Sequence, residues 1–444
     1  MRWWLAALVL LGLALLLRSS PLALATYVLF LSLGISRIMA ISSTGRLKGK
    51  RNWTNQTCEI GATIETKLTL RNSGGSFVPW VLVEELLPEG WSNPAGPSFR
   101  IKGRRLRLAM IGPRGSTKLQ YTIETRRRGF FQIGPLVVET GDLFGFFRRF
   151  QVETNPGFLI VLPKAIPLMG FEVASRRPVG EIKLAHRLFE DPTRIAGVRE
   201  YQPGDSFSRI HWKASARGLG LMTKVVEPSV LAGATIVMEF HKSRFPEQSE
   251  PMLSDLAVTC AASMALAVCQ IRQQIGLLAN AVHGAQRVKH EGYELQATSF
   301  SQIVREQGQG PVEGLDFVRV PTQRGDEQFG RIRENLACLE MTEGSYLEEF
   351  LAENSWMIPN DTTLTAITPV VTRGLAQVLG DFKRKGRAVS VILVVVDDAQ
   401  KERSLTNLIG ARIMDFKIVA SEADIPRMCM SEVDRSAPYF LQGW

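Results

Sequence analysis

The chain is poor in the local motifs that announce chemistry. Its five cysteines, Cys58, Cys260, Cys269, Cys338 and Cys429, are an odd number and contain no Cys-x-x-Cys pair. Reduced thiols in a cytosolic setting are the simplest account of them. The five histidines are His186, His211, His241, His283 and His290, and none belongs to a His-Glu-x-x-His zinc helix. There is no Gly-x-Ser-x-Gly nucleophile elbow and no Gly-x-x-x-x-Gly-Lys-Ser/Thr phosphate loop, so the chain is not itself a P-loop ATPase. Biased tracts are lacking as well: with 45% hydrophobic and 22% charged residues, 444 residues can bury real cores in two or three domains.

The net charge of +10 is dispersed except at Arg46 to Arg51 and Arg126 to Arg128. Without an RNA-binding, zinc-finger or basic-zipper signature, nucleic-acid binding is not expected. A basic excess beside an apolar N-terminus points instead to membrane topology. Trp3 to Leu17 is unbroken apolar sequence, and Leu22 to Ile35, extended by Ser36 to Ile41, follows after only Arg18, Ser19, Ser20 and Pro21. Each segment approaches the roughly 17 residues a span requires. The reading is a transmembrane helical hairpin over residues 1–42. The rival is a signal peptide cleaved after Ala23-Leu24-Ala25, against which the apolar character resumes at Tyr27 to Leu31. Arg37, Arg46, Lys48, Lys50 and Arg51 follow the second segment, which places both termini in the cytoplasm of a two-span membrane protein.

Residues 43–165 have an apolar period of two. Ile64, Leu68 and Leu70 alternate with polar residues, as do Leu106, Leu108 and Met110, then Leu119, Tyr121 and Ile123. Turn signals at Asn72 to Gly75, Pro88 to Gly90 and Gly112 to Gly115 separate them, which predicts an antiparallel β-sandwich. In Arg126-Arg127-Arg128-Gly129-Phe130-Phe131 and Gly141-Asp142-Leu143-Phe144-Gly145-Phe146-Phe147, Gly129 and Gly145 are expected in turns and the phenylalanines in the sandwich core. The functional alternative for these phrases is a peptide- or lipid-facing aromatic and basic edge.

Residues 231–444 alternate strand and helix patterns. Ala234 to Phe240 is a strand, and Leu253, Leu256, Ala257, Cys260, Ala261, Met264, Ala267, Val268 and Ile271 recur at three and four as in a long helix. Leu277 to Val282, Leu364 to Ile367, Val389 to Val396 and Phe416 to Val419 are strand-like, while Phe329 to Leu339, Tyr346 to Leu351 and Val371 to Phe382 are helical. The alternation predicts a mostly parallel sheet covered on both faces. Asp397-Asp398 follows a strand and reads as a helix N-cap, with a ligand site as the alternative.

Between these regions, in a connecting segment over 166–230, lies a dense polar motif spanning residues 199–217. It comprises Arg199, Glu200, Tyr201, Gln202, Pro203, Gly204 and Asp205, then Arg209, Ile210, His211, Trp212, Lys213, Ala214, Ser215, Ala216 and Arg217. Pro203 and Gly204 suit a tight turn. Arg199, Asp205, Arg209 and Arg217 are expected in one ion-pair network, with Trp212 anchored in apolar surroundings. This motif resembles the signature of the family called domain of unknown function 58. The two upstream glycine and aromatic phrases and the N-terminal hairpin are similar to the same family. The resemblance puts weight on Arg199, Tyr201, Gly204, Asp205, Arg209, Trp212, Lys213 and Arg217. It implies a C-terminal α/β domain of the von Willebrand factor A type, Rossmann-like, and partnership with a MoxR-type AAA ATPase.

That A-type fold often holds a cation on Asp-x-Ser-x-Ser after its first strand. The matching Glu239-Phe240-His241-Lys242-Ser243 departs from it: Glu239 is longer, His241 replaces a hydroxyl, Lys242 is cationic, and only Ser243 fits. No bound metal and no cofactor are expected. Together these readings predict a non-catalytic, membrane-anchored bacterial scaffold or adaptor. The alternatives are a hydrolase or nuclease using Glu200, Asp205 and His211, and a metal-dependent adhesion-type binder.

Overall fold

The computed structural model describes residues 2–17, 20–44, 46–53, 56–87, 97–154, 156–169, 195–201, 210–217, 220–226, 233–286, 317–360 and 362–428. They fall into two compact units, one running up to Val161 and the other starting at Leu162.

The first unit begins with two apolar helices, Arg2–Leu16 and Ser20–Thr44. Small or apolar residues, Ala7, Ala14, Leu33 and Ala40, are buried, and the rings of Trp4 and Phe30 lie 5.9 Å apart. Leu5, Leu8, Val9, Leu16, Val28 and Leu31 are exposed. The two helices thus bury small residues and leave leucines exposed. The stretch Ser20–Ile41 is long and apolar enough to cross a membrane, whereas Trp4–Leu16 is shorter. The second helix continues unbroken through Ala23, Leu24 and Ala25.

Behind the helices come β1 (Leu47–Trp53), β2 (Thr57–Glu59), β3 (Thr63–Asn72), β4 (Val78–Glu85), β5 (Phe99–Gly103), β6 (Leu106–Ile111), β7 (Ser116–Thr125), β8 (Gly129–Ile133), β9 (Leu136–Gly141), β10 (Arg148–Thr154) and β11 (Gly157–Leu162). Two four-stranded antiparallel sheets, ordered β1-β3-β7-β5 and β10-β9-β4-β6, are accompanied by a three-stranded sheet β2-β11-β8. Side chains alternate across a strand, so Ile64, Leu68 and Leu70 of β3 and Leu119, Tyr121 and Ile123 of β7 all face one core with Val81, Val83 and Phe99.

Two features could not be read from the alternation alone. Leu106, Leu108 and Met110 are 48%, 68% and 75% exposed, because edge strand β6 turns them outward and buries Ile111. Period two shows that one face is apolar but not which way it points. The phenylalanines also divide: Phe131 packs against the core, while Leu143 and Phe144 project from the β9–β10 turn. A further departure is Arg51, which lies inside the sandwich. Its guanidinium pairs with the fully buried Glu85, and the Tyr121 hydroxyl donates to the same carboxylate. Burial pushes Glu85 up from the usual carboxylate range, and Arg51 and Tyr121 oppose that rise.

The second unit holds a hairpin of β12 (Ile195–Glu200) and β13 (Met222–Val226), then β14 (Gly233–Met238), β15 (Gln274–Ala279), β16 (Val282–His283), β17 (Val318–Gln323), β18 (Leu339–Glu340), β19 (Thr363–Thr368), β20 (Val389–Val394) and β21 (Phe416–Val419). A six-stranded sheet runs β17-β15-β14-β19-β20-β21, parallel throughout except for the antiparallel edge β17. Every residue of β14, β19 and β20 is buried, as a sheet covered on both faces demands. Ile236 and Met238 of β14 meet helices Met252–Gln270 and Asp326–Ala337 on one face. Val237, one residue over, meets helices Leu347–Glu353, Arg373–Arg384 and Asp398–Gly410 on the other. Met252–Gln270 also has the length and hydropathy of a membrane span, but it is the buried central helix of this core. The Asp397 carboxylate caps helix Asp398–Gly410, accepting from the Ala399 N–H at 3.2 Å, as its sequence position predicts.

Candidate functional site

Two places collect the residues singled out by sequence. The first is the motif hairpin. Arg199 and Glu200 close β12 opposite Thr223 and Met222, and the Tyr201 N–H donates to Leu221 O at 2.8 Å. Ile210 is buried and bridges to Thr223. Gly204, Asp205 and Arg209 lie outside the described residues, and so does the ion-pair network expected of them. His211 caps a short helix, Trp212–Ser215, its Nδ1 accepting from the Ala214 N–H at 3.0 Å. The Ser215 hydroxyl donates to His211 O at 3.1 Å and accepts from the Met222 N–H at 2.9 Å, which ties the helix to β13. Trp212 does not anchor: it is 69% exposed, and Lys213, Arg217 and Glu200 are exposed too. A helix of four residues has no second turn with which to cover an indole, so the ring stays in solvent.

The second place is the C-terminal end of the parallel sheet, the usual position of ligand sites in open α/β folds. Glu239 follows β14 and is buried. Its Oε1 accepts from Asn280 Nδ2 at 2.6 Å and from the His241 N–H at 3.1 Å. Asn280, just past β15, also donates to Ser345 O at 3.2 Å and accepts from the Phe240 N–H at 2.7 Å, stitching two strand ends together. His241 Nδ1 accepts from the Ser243 N–H at 3.2 Å and lies 2.9 Å from the Ser243 hydroxyl. The imidazole lies 4.2 Å from the Tyr346 ring, and the Arg244 guanidinium sits 4.4 Å over the same ring. Arg244 Nη2 bonds Glu348 Oε1 at 2.6 Å, and its Nε is 4.0 Å from Glu239 Oε2. The Thr372 hydroxyl donates to Glu348 Oε1 at 3.1 Å. Burial pushes the Glu239 carboxyl upward, while Asn280, the His241 N–H and Arg244 pull it back. Lys242 turns away to an exposed pair with Glu343 at 3.0 Å.

Glu239, His241 and Ser243 therefore do come together, yet their donors do not fit a hard divalent cation. Each is already engaged locally, and the positive charge among the carboxylates comes from Arg244. A second cation would be repelled there. Among the described residues, no group of three or more His, Cys, Asp or Glu side chains is placed to hold a metal ion. Sequence reading missed Arg244, Asn280, Tyr346 and Glu348. Only Arg244 carried a local signal, as the residue next to Ser243. Cys58, Cys260 and Cys269 carry thiols outside any disulfide.

Fold and site together define an α/β domain with a closed, salt-bridged sheet end, preceded by a β-sandwich and two apolar helices. Residues 197–307, which include the motif and, of the Glu239 cluster, Glu239, His241, Ser243, Arg244 and Asn280, match the family model described as "Protein of unknown function DUF58". The chain thus carries a domain of that family. It is similar to "Uncharacterized protein YeaD" of Bacillus subtilis (strain 168), 25% identical over 212 residues, 47% of this chain and 52% of the relative. The chain spans about half the length of the curated relative it matches. Among solved structures it resembles the CARDB domain of the PF1109 protein from Pyrococcus furiosus, with 15% identity over 26% of this chain and 87% of that one at a TM-score of 0.18. The PapD-like domain of human CEP192 is 21% identical over 25% of this chain and 82% of that one, at a TM-score of 0.17. Likenesses this slight carry no argument about fold or function.

Proposed function

We propose that the protein is a membrane-anchored adaptor whose soluble part docks a MoxR-type AAA ATPase on the cytoplasmic side, in the assembly or maturation of other proteins. The observation that carries this reading is Trp212, exposed beside Lys213 and Arg217 in the family-matching motif. Tryptophan and arginine are the residues most enriched at binding hot spots, and an exposed indole is otherwise a liability in water. The α/β unit supports an A-type reading. Numbering its six sheet strands in chain order, they lie 3-2-1-4-5-6 with the third antiparallel. Arg244 supports the further reading that this domain works without a cation. The helix Ser20–Thr44 supports anchorage through two spans, and the basic residues after it support the inward orientation.

Catalysis by Glu200, Asp205 and His211 is the weaker reading, because His211 Nδ1 is held in a cap. The test measures affinity of the full-length chain in detergent for the MoxR-type ATPase of the same organism. Trp212→Ala is expected to weaken binding at least tenfold, about 1.4 kcal/mol, without lowering the melting temperature. Undiminished affinity in a folded variant would remove the basis of the proposal.

A further inference from the structure

The turn between β9 and β10 is Asp142 to Phe147, and its tip is apolar and bare. Leu143 and Phe144 are each 64% exposed, with the Phe144 and Phe146 rings 5.9 Å apart. Nothing about the turn is slack. The Asp142 carboxylate accepts from the Phe147 N–H at 2.7 Å and the Phe144 N–H at 3.1 Å. Trp80 Nε1 donates to Asp142 O at 2.8 Å. Burial resists ionisation of Asp142, yet these N–H groups and the Ser36 hydroxyl hold its carboxyl below the usual range. The chain therefore invests a buried, ionised carboxylate in holding two apolar side chains out in the open.

The place of the turn says what they meet. Ser36, beside Asp142, belongs to the helix Ser20–Thr44, which packs along β9 and β10. At the other end of β10, Glu153 Oε2 accepts from the Gly49 N–H at 3.0 Å. Moving along the chain from Ser36 to Gly49 thus runs from the turn to the far end of the strand. The turn consequently points back along the helix, toward Ser20. Ser36 lies five residues inside the apolar stretch that ends at Ile41, and at 1.5 Å per residue that is about 7.5 Å. Interfacial side chains bury to about 5–10 Å. Arg148 and Arg149, exposed at the foot of the turn, sit where headgroup phosphates would be.

We propose that the β9–β10 turn inserts Leu143 and Phe144 into the interfacial layer of the bilayer, so that the sandwich is seated on the membrane as well as tethered to it. This rests on the reading of Ser20–Ile41 as a membrane span. The experiment places the photo-crosslinker benzoylphenylalanine singly at Phe144, at Leu31 on the lipid-facing side of the helix, and at Lys67, exposed in mid-strand on β3. Full-length protein is reconstituted in phosphatidylglycerol and phosphatidylethanolamine nanodiscs and irradiated, and lipid adducts are counted by mass spectrometry. Adducts at 31 and 144, with at least tenfold fewer at 67, are the expected result. Adducts at 31 with position 144 no higher than 67 would overturn the inserted turn and leave the anchor standing. Absence of adducts at 31 would overturn the anchor, and the inference with it.

Discussion

Replacing Arg51 by methionine probes the interior of the sandwich. The change keeps most of the side-chain volume and removes the charge facing Glu85, whose side chain is 0% exposed. An unpaired buried carboxylate is the most costly outcome, so the folded variant protonates Glu85 and keeps the Tyr121 bond. Protonating a carboxyl whose ordinary pKa is 4.5 costs about 3.4 kcal/mol at pH 7 and about 0.7 kcal/mol at pH 5, at 1.36 kcal/mol per unit. The first figure sits within the roughly 3–5 kcal/mol found when one partner of a buried pair is removed. The sign is set by linkage: above pH 4.5 the folded variant holds a proton that the unfolded chain has released, so stability falls as pH rises. Hydrogen exchange of the β3 and β7 amides in urea reads the sandwich separately from the α/β unit. The deficit of Arg51→Met relative to the native chain is expected to shrink between pH 7 and pH 5, by at most about 2.7 kcal/mol, because the raised Glu85 of the native chain already takes up part of the same pH dependence. An equal deficit at both pH values would mean that Glu85 is already neutral beside Arg51, and the ion-pair account would be wrong.

Four further outcomes follow from other features. Glu153 is pushed up to about 7 by burial, so its folded form binds more protons than its unfolded form between about pH 4.5 and 7. Its contribution to stability is full below that window and is lost as pH rises through it; Glu153→Gln should flatten the pH profile there by about 1–2 kcal/mol once solvent screening is allowed for. Millimolar magnesium should leave the melting temperature of the native chain unchanged, and a stabilisation above about 1.5 kcal/mol would contradict the role given to Arg244. Cys260, whose thiol is pushed up to about 12 by burial, should escape iodoacetamide at pH 8 until the α/β unit unfolds, as peptide mass spectrometry would show. A reporter active only outside the cytoplasm, fused after Trp444, should stay silent, and clear activity would reverse the proposed orientation.

What could be read in advance was whatever repeats locally. The recurrence of Leu253, Leu256, Cys260 and Met264 gave helix Met252–Gln270, and the short, largely apolar runs around Ile236, Leu364 and Val391 gave the buried strands. The outward face of β6 was not legible, because an edge strand with apolar residues on alternate positions satisfies the same pattern in either orientation. The cluster around Glu239 was half legible. Glu239, His241 and Ser243 sit in one loop, but Asn280, Tyr346 and Glu348 arrive from elsewhere along the chain, and no spacing connects them. Trp212 was misjudged for a different reason. Residue type predicts a preference for burial, whereas the four-residue helix that carries it offers nothing to be buried against.

Arg244 sets how a domain of this kind can be governed. A bound ion leaves when its concentration falls, and a surface built on one can be switched by chelation or by calcium and magnesium traffic. A guanidinium is carried on the chain itself, keeps its charge at every physiological pH, and cannot be withdrawn. On the proposed cation-free reading, this end of the sheet does not respond to the ionic composition around it. Under the proposed adaptor role, control over when such a surface engages a partner would come from the partner's own cycle or from access to the membrane, and not from the supply of an ion.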